Sequence, residues 1–551
     1  MESAYKLITT RNERSNKTHI NHFKMRTSSL RFKTFLLCIL SLSACTDPAP
    51  LDVVVKNATI YDGRGLEPFV GDVGIKDDMI AQIGRGLSCD DCTVIDARGL
   101  AISPGFIDIH THIEPLPQIP DGQSFLHMGV TTCLGGPDGS SPLNLDRYLN
   151  ELDSIGTGVN VGYLIGHNSI RAEVMGLDDR SPSDEELEEM KAWINKGMED
   201  GAFGMSTGLK YLPGTFAETE EIVELAKVAS KYGGIYTSHL REEGLGLLEG
   251  VDEAIEISDK ADIRVVLTHH KVVGQPMWGS SEKTLAMVDS ARSAGLDVRI
   301  DQYPYTASYT NLGILIPAWS MAGGRYDKFA ERCKDPILRD SIKQGIIFNI
   351  INDRGGNDLK RVQLAAFDWK PHLEGKTLYD WAIEEGLEPT PENGAELIIN
   401  AQINRGAGAI FHAMEVEDLK NIMTHPMTSI ASDGRLTKFS KGFPHPRVHG
   451  TFPRVLGKYA RDEGFISMTE AIRKMTSLPA STMGLTDRGI IKVGNKADLV
   501  IFDDTAIIDK ADFSNPHQYP EGIHKVIVNG QMALENGALS EQRYGYILRR
   551  E

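Results

Sequence analysis

The chain has 551 residues, with 58 Lys and Arg against 76 Asp and Glu and a formal charge of −18. That length accommodates a catalytic barrel of ~250 residues together with a satellite domain. The acidic balance leaves no basic surface for phosphates and so excludes nucleic acid as a partner; the six cysteines, at 38, 45, 89, 92, 133 and 333, are too few and scattered for a disulfide scaffold, so stability has to come from an apolar core.

Residues 1–45 read as an export leader. Arg26, Arg31 and Lys33 precede the apolar run Thr34 to Ala44, which ends at Cys45 and the polar stretch TDPAP. A positive head, a short apolar stretch and small residues before a cut form a signal for export. Eleven apolar residues fall well short of the ~20 that span a bilayer, which argues against a transmembrane anchor. Leu42-Ser43-Ala44-Cys45 resembles the bacterial lipobox, in which cleavage leaves the cysteine as a lipid-bearing N-terminus. The expectation is a lipoprotein on the periplasmic side whose sole membrane contact is the lipid on Cys45, with Met25 an alternative start. Losing a basic leader makes the mature chain more acidic still, and it should stand off an anionic membrane.

From residue 46 to 102, LDVVVKNATIYDGRG and GDVGIKDDMIAQIGRG show short β-branched runs broken by Gly and Asp, a pattern of antiparallel strands. Residues 485–551 repeat it in ADLVIFD and IHKVIVNGQMALENG, with an Asn-Gly turn at 529–530. Both ends are expected to build one small β-sandwich domain. Cys89 and Cys92 have metal-motif spacing but lack a second ligand pair, so a structural disulfide or two inert thiols fits them better than zinc in an oxidising compartment.

Between the ends, residues 103–484 alternate strand and helix, the signature of βα units around a parallel sheet. Eight strand candidates run in order: SPGFIDIH, GVTTCLGG, VNVGYLIGH, AFGMSTG, GIYTSHL, IRVVLTHH, DVRIDQY and TSIASDG. Ser183-x-x-Glu186 and Thr219 mark helix starts. Eight strands close a (β/α)8 TIM-like barrel. Residues 304–424 are too long for a loop and are expected to form a lid or subdomain inserted after strand seven.

Residues with metal-ligand chemistry sit at the carboxyl ends of these strands, where barrel enzymes place their sites. His110 and His112 close strand one, and residues i and i+2 of a strand point the same way. Cys133 ends strand two, His239 strand five, His269 strand six and Asp433 strand eight. A lone histidine is an ordinary hydrogen-bonded side chain and a lone buried cysteine a small hydrophobe. Six of them together at five strand ends point to a metal site and not to coincidence. His270 follows His269, but adjacent strand residues face opposite sides, so the metal is assigned to His269.

GFIDIHTH, GVTTCLGG, STGLKYLPG, YTSHLREEG, THHKVVG, DQYPYTAS, IASDG and HPRVHGTFPRVLGKY resemble the amidohydrolase superfamily over residues 52 to about 540, and within it the N-acyl-D-amino-acid deacylases, or D-aminoacylases. The resemblance implies hydrolysis of an N-acyl-D-amino acid to a D-amino acid and a carboxylate. It implies zinc held tightly by Cys133, His239 and His269, with a weaker second position at His110, His112 and Asp433. Asp433 would move the proton from water to the leaving amine. Tyr211, Lys271, Tyr303, Ser308 and Arg447 match positions lining the pocket for the substrate carboxylate; an arginine clamps such a group with two parallel hydrogen bonds. Without those motifs a solvated surface charge is the competing reading of Lys271 and Arg447. Glu114, in HTHIE, departs from the pattern. The rivals are a hydantoinase, a dihydroorotase or a D-residue dipeptidase of the same superfamily, and a surface lipoprotein that only binds its ligand. Oligomeric state is not encoded in these features.

Overall fold

The computed structural model describes residues 50–550, so the leader and Cys45 lie outside the described residues. The β-branched runs at the chain ends pair with one another. Val53–Ile60, Phe69–Lys76, Met79–Gly84, Thr93–Asp96 and Ala101–Pro104 join Leu499–Phe502, Ile523–Val528, Gln531–Glu535 and Ala538–Leu539 in one nine-stranded sheet. Its seam is the antiparallel pair of Ala101–Pro104 with Leu499–Phe502, both buried throughout. Hydrogen bonding is continuous across the whole β-domain because Val53–Ile60 pairs in parallel first with Thr93–Asp96 and then with Ala101–Pro104. Asn529 and Gly530 turn the expected hairpin at φ of 47° and 78°, the left-handed pair that a tight β-hairpin demands. Cys89 and Cys92 are joined as a disulfide.

The middle of the chain forms the barrel. Its strands are Phe106–Asp108 leading into Thr111–His112, Val130–Gly135, Asn160–Tyr163 leading into Ile165–Gly166, Gly204–Gly208, Ile235–His239, Arg264–Leu267, Val298–Gln302, and Thr428–Ile430 leading into Gly434–Arg435. All neighbouring pairs are parallel. The hydrogen bonds fall into separate groups, and the chain carries the ring between them: strand three runs from Tyr163 into Ile165, and strand eight returns to strand one where Gly434 pairs with Thr111. Helices cover the outer face, so strands such as Val130–Gly135 are buried on both sides and read as unbroken runs. Ser183 and Glu186 form a reciprocal capping box at the start of Asp184–Glu199. Thr219 is instead the first helical residue of Thr219–Ser230, and its hydroxyl donates to Glu253.

The insertion after strand seven has a core of its own. Ser308–Asn311, Gly408–Phe411 and Val362–Ala366 form an antiparallel three-stranded sheet, covered by Pro336–Asn352, Leu378–Glu384 and Pro391–Ile403 around buried Trp381, Phe367 and Ile346. The boundary differs from the expected 304–424 at its far end. Val416–Thr424 is a barrel helix: Leu419, Ile422 and Met423 are buried in the barrel core, so the inserted layer stops before it.

Candidate metal centre and active site

The carboxyl ends of the barrel strands converge on a cavity of about 450 Å³. His110 is fully buried and His112 half-buried at the end of strand one, and His239 is the last residue of strand five. His269 follows strand six at φ 37° and Asp433 follows strand eight at φ 49°. These left-handed turns end the strands and aim both side chains inward, fixed by His269 N–H donating to the Asp301 carboxylate at 2.6 Å and Asp433 N–H donating to the His110 carbonyl at 2.9 Å.

The expectation fails at Cys133. Strand two runs two residues past it to Gly135, and Cys133 pairs in register with Asp108, below the level of His110 and His112. Its side chain is wholly buried in the apolar core. Burial, with the Asp108 carboxyl nearby, pushes its thiol well above the ordinary range, opposite to what a ligating thiolate needs. The loop after the strand, Gly136-Pro137-Asp138-Gly139, brings Asp138 into the cavity instead, at φ 53°. Gly139 is obligatory there: its φ is 75°, and a Cβ would lie 2.0 Å from Asn168 Oδ1.

Two groups of metal-ligating type result, {His110, His112, Asp138, Asp433} and {Asp138, His239, His269}, sharing Asp138. Asp138 Oδ1 lies 3.5 Å from His110 Nε2 and 3.4 Å from His269 Nε2, while Oδ2 lies 3.7 Å from His112 Nε2 and 3.6 Å from His239 Nδ1. Asp433 Oδ1 lies 3.2 Å from His112 Nε2 and 3.7 Å from His110 Nε2. His110 Nε2, His239 Nδ1, His269 Nε2 and Asp138 Oδ1 are buried without a hydrogen-bond partner. Ligands bound at ~2.1 Å to a tetrahedral ion are separated by about 3.4 Å, so these gaps suit a shared cation better than direct hydrogen bonds. Orphaned imidazoles and carboxylates spaced in this way fit divalent metal.

Charge in the cavity points the same way. Burial works against the charge of Asp138, yet the surrounding imidazoles of His110, His269 and His239 outweigh it and hold the carboxyl well below its usual range. Asp433 is likewise depressed, burial being overcome by Arg447 and His112, so it is ionised at neutral pH. Burial, helped by the neighbouring His269 and only partly opposed by Glu243 and Asp138, brings His239 down to about 4, leaving a neutral imidazole able to ligate. Behind the ligands, Asp108 accepts from the N–H groups of Ser432 and His110, and burial pushes its carboxyl up to about 7. His270 turns away and shares a hydrogen bond with Thr284 at 2.9 Å.

The pocket residues fall into distinct settings. Tyr211 lies against the His239 ring, centroids 4.4 Å apart, and its hydroxyl accepts from Thr310. Ser308 and Arg447 face the cavity. Arg447 Nη1 is 2.7 Å from Asp433 Oδ2 but off the hydrogen-bonding line, leaving a buried donor unsatisfied. Tyr303 lies off the cavity wall and supports Arg447 from beneath, with the guanidinium 4.7 Å from its ring centre. Lys271 is already engaged: its ammonium pairs with Glu243 and reaches His269 Nδ1 at 2.7 Å. Glu114 lies between His112, at 3.5 Å, and Arg435, at 3.4 Å.

Four residues escaped the sequence reading. Asp138 stands in an ordinary loop setting, five residues past Cys133. Glu243, in HLREEG, is a buried carboxylate whose oxygens lie 3.2 Å from His269 Nδ1 and 3.4 Å from His239 Nε2. Arg354 comes from the insertion and pairs with Glu243 while donating to Ser308 Oγ at 3.3 Å. Asp301 lies 3.8 Å from His110 Nδ1. The four-residue step from His239 to Glu243 was a usable signal; nothing near Arg354 was.

Residues 93–308 and 386–533 match the amidohydrolase family. The D-aminoacylase of Alcaligenes xylosoxydans xylosoxydans is 34% identical over 92% of this chain and 99% of its own, and the N-acyl-D-aspartate deacylase of the same organism is 33% identical over 91% and 95%. A crystal structure of the N-acyl-D-glutamate deacylase of Bordetella bronchiseptica, complexed with zinc and a phosphonate mimic of the tetrahedral intermediate, superposes with a TM-score of 0.78 at 30% identity, covering 91% of this chain and 100% of that one. With near full-length identity of this order and the same barrel, the chain belongs to the amidohydrolase family, in its N-acyl-D-amino-acid deacylase branch.

Proposed function

We propose that this protein hydrolyses the amide bond of N-acyl-D-amino acids, releasing a D-amino acid and a carboxylate, with divalent metal, most simply zinc, as its cofactor. The observation that carries this reading is the shared set of orphaned imidazoles and carboxylates opening into the same cavity as Arg447 and Ser308. His110, His112, Asp433, Asp138, His239 and His269 would hold the metal, which polarises an amide carbonyl and acidifies water when bound. Its zinc-bound relative supports that choice of ion.

The residues of the chain perform the remaining work. Asp433, ionised and turned into the cavity, accepts the proton of the attacking water and returns it to the departing amine nitrogen. Arg447, with its unsatisfied buried donor, takes the substrate's α-carboxylate, and Ser308 donates to the same group. Lys271 acts through Glu243 and His269 and does not form a free clamp. Tyr211 walls the site beside His239 and helps exclude water. Two of the relatives are an N-acyl-D-aspartate deacylase and an N-acyl-D-glutamate deacylase, so side-chain preference differs among the proteins this chain resembles.

Export and lipidation at Cys45 are part of the same reading, supported by the basic and apolar leader ending in Leu42-Ser43-Ala44-Cys45. A panel of N-acetyl-D-, N-acetyl-L- and D-residue dipeptide substrates with a cyclic imide, read by amine release, tests the activity. N-acetyl-D-amino acids should lead by at least ~10-fold in kcat/KM. Faster turnover of the imide, which has no free α-carboxylate, would overturn the assignment in favour of hydantoinase-type chemistry.

A further inference from the structure

We propose that Asp138 is the bridging ligand of a two-cation centre whose donors are nitrogen and oxygen only, and that the centre prefers zinc, cobalt or manganese to thiophilic ions such as cadmium. This rests on the reading that the two groups hold metal, and adds to it the bridging residue and the class of ion.

Asp138 is the one residue common to both groups. Each of its oxygens faces one imidazole from each group: Oδ1 faces His110 and His269, and Oδ2 faces His112 and His239, all between 3.4 and 3.7 Å. A carboxylate whose two oxygens both lie between the two ligand sets can span two ions and neutralise part of the charge of each. Its loop is built to keep it there. Gly139 presses against Asn168, whose side chain accepts from Gly208 N–H and donates to the Gly208 carbonyl, and Gly139 N–H donates to Ser206 Oγ at 3.1 Å. The loop is thereby anchored to strand four.

No thiolate competes for the position among the described residues. Cys133 is enclosed in the apolar core at the level of Asp108, Cys333 is buried in the core of the insertion, and Cys89 and Cys92 are joined to each other. Imidazole and carboxylate donors suit borderline and harder divalent ions, whereas a cysteine ligand would draw the centre towards soft ones. An aspartate here therefore changes which metals are held as well as the strength of binding.

Cobalt loading of the metal-free full chain gives a readout independent of turnover. Wild type should bind about two cobalt ions per chain and show ligand-field bands without a thiolate-to-cobalt charge-transfer band in the near ultraviolet. Cys133→Ser should give the same spectrum and stoichiometry. Asp138→Asn, close to isosteric, should hold about one ion or fewer, with circular dichroism confirming the fold. Asp138→Cys should acquire the charge-transfer band and shift the cadmium-over-zinc preference by about 10-fold or more.

A charge-transfer band in wild type that Cys133→Ser abolishes would overturn the proposal, as would two ions retained by Asp138→Asn. A chain that binds two cobalt ions through Asp138 yet leaves every N-acyl-D-amino acid intact would support the centre and sink the proposed activity, so the two failures are distinguishable.

Discussion

Glu243→Gln probes the electrostatic design behind the metal ligands. Glu243, Lys271 and Arg354 are each almost fully buried; the carboxylate pairs with both cations and lies against the outer nitrogens of His239 and His269. Burial disfavours that charge, and His239, Lys271 and Arg354 more than offset it, holding the carboxyl well below its usual range. The near-isosteric amide keeps the volume and one acceptor but leaves two buried cations without a counter-charge. Removing one partner of a buried pair costs ~3–5 kcal/mol, and solvent screening gives no discount at this depth. We expect urea unfolding of the metal-free protein to show a loss in that range. Adding Lys271→Met should recover at least about 1 kcal/mol, because one stranded charge goes with it. Metal affinity should fall ~10–100-fold, as expected when a group orienting ligand imidazoles is lost. A cost below about 1 kcal/mol, the value of an exposed pair, with unchanged metal retention, would refute the reasoning.

Asp433→Asn should lower kcat by ~10²–10⁴ with KM little changed, since the proton it moves is in flight in the transition state. Arg447→Ala should raise KM for N-acyl-amino acids, at ~2–5 kcal/mol in kcat/KM, and harm an N-acyl amine lacking the carboxylate far less; equal loss on both substrates would remove Arg447 from the clamp. Gly139→Ala forces a left-handed alanine against Asn168 and should cost ~1–3 kcal/mol together with bound metal, measurable by unfolding and elemental analysis. Cys45→Ser should move the protein out of the membrane fraction, and unchanged fractionation would reject lipidation.

The parts of the fold that follow from periodicity were legible in the sequence. Parallel strands buried on both faces leave short apolar runs, and the helices between them carry caps such as Ser183 with Glu186, so the order of the barrel could be read directly. The Asn529-Gly530 turn is a local choice of backbone hand and needs no tertiary knowledge. The insertion was legible only as excess length. Its far boundary was misplaced because Val416–Thr424 has the same amphipathic text whether it covers the inserted sheet or the barrel, and contact with the barrel core alone decides it.

At the site, residue type and strand position misled in one particular way. His110, His112, His239, His269 and Asp433 lie near strand ends, and their chemistry made them visible there. Cys133 has ligand chemistry but lies inside its strand, two residues from the end, and those two residues are enough to place its thiol among apolar side chains. Asp138 has the better position, yet an aspartate between proline and glycine reads as a turn former. Lys271 lines the cavity as its motif implies, but its ion pair is not legible in the local text: the partner, Glu243, is 28 residues away and is also claimed by Arg354 from 111 residues away. Motifs fix which chemistry a chain carries at a strand end. Which charges are already paired is decided by long-range contacts: Lys271 and Arg354 share Glu243, while Arg447, beside Asp433 with one donor unsatisfied, is the cation proposed above for the substrate carboxylate.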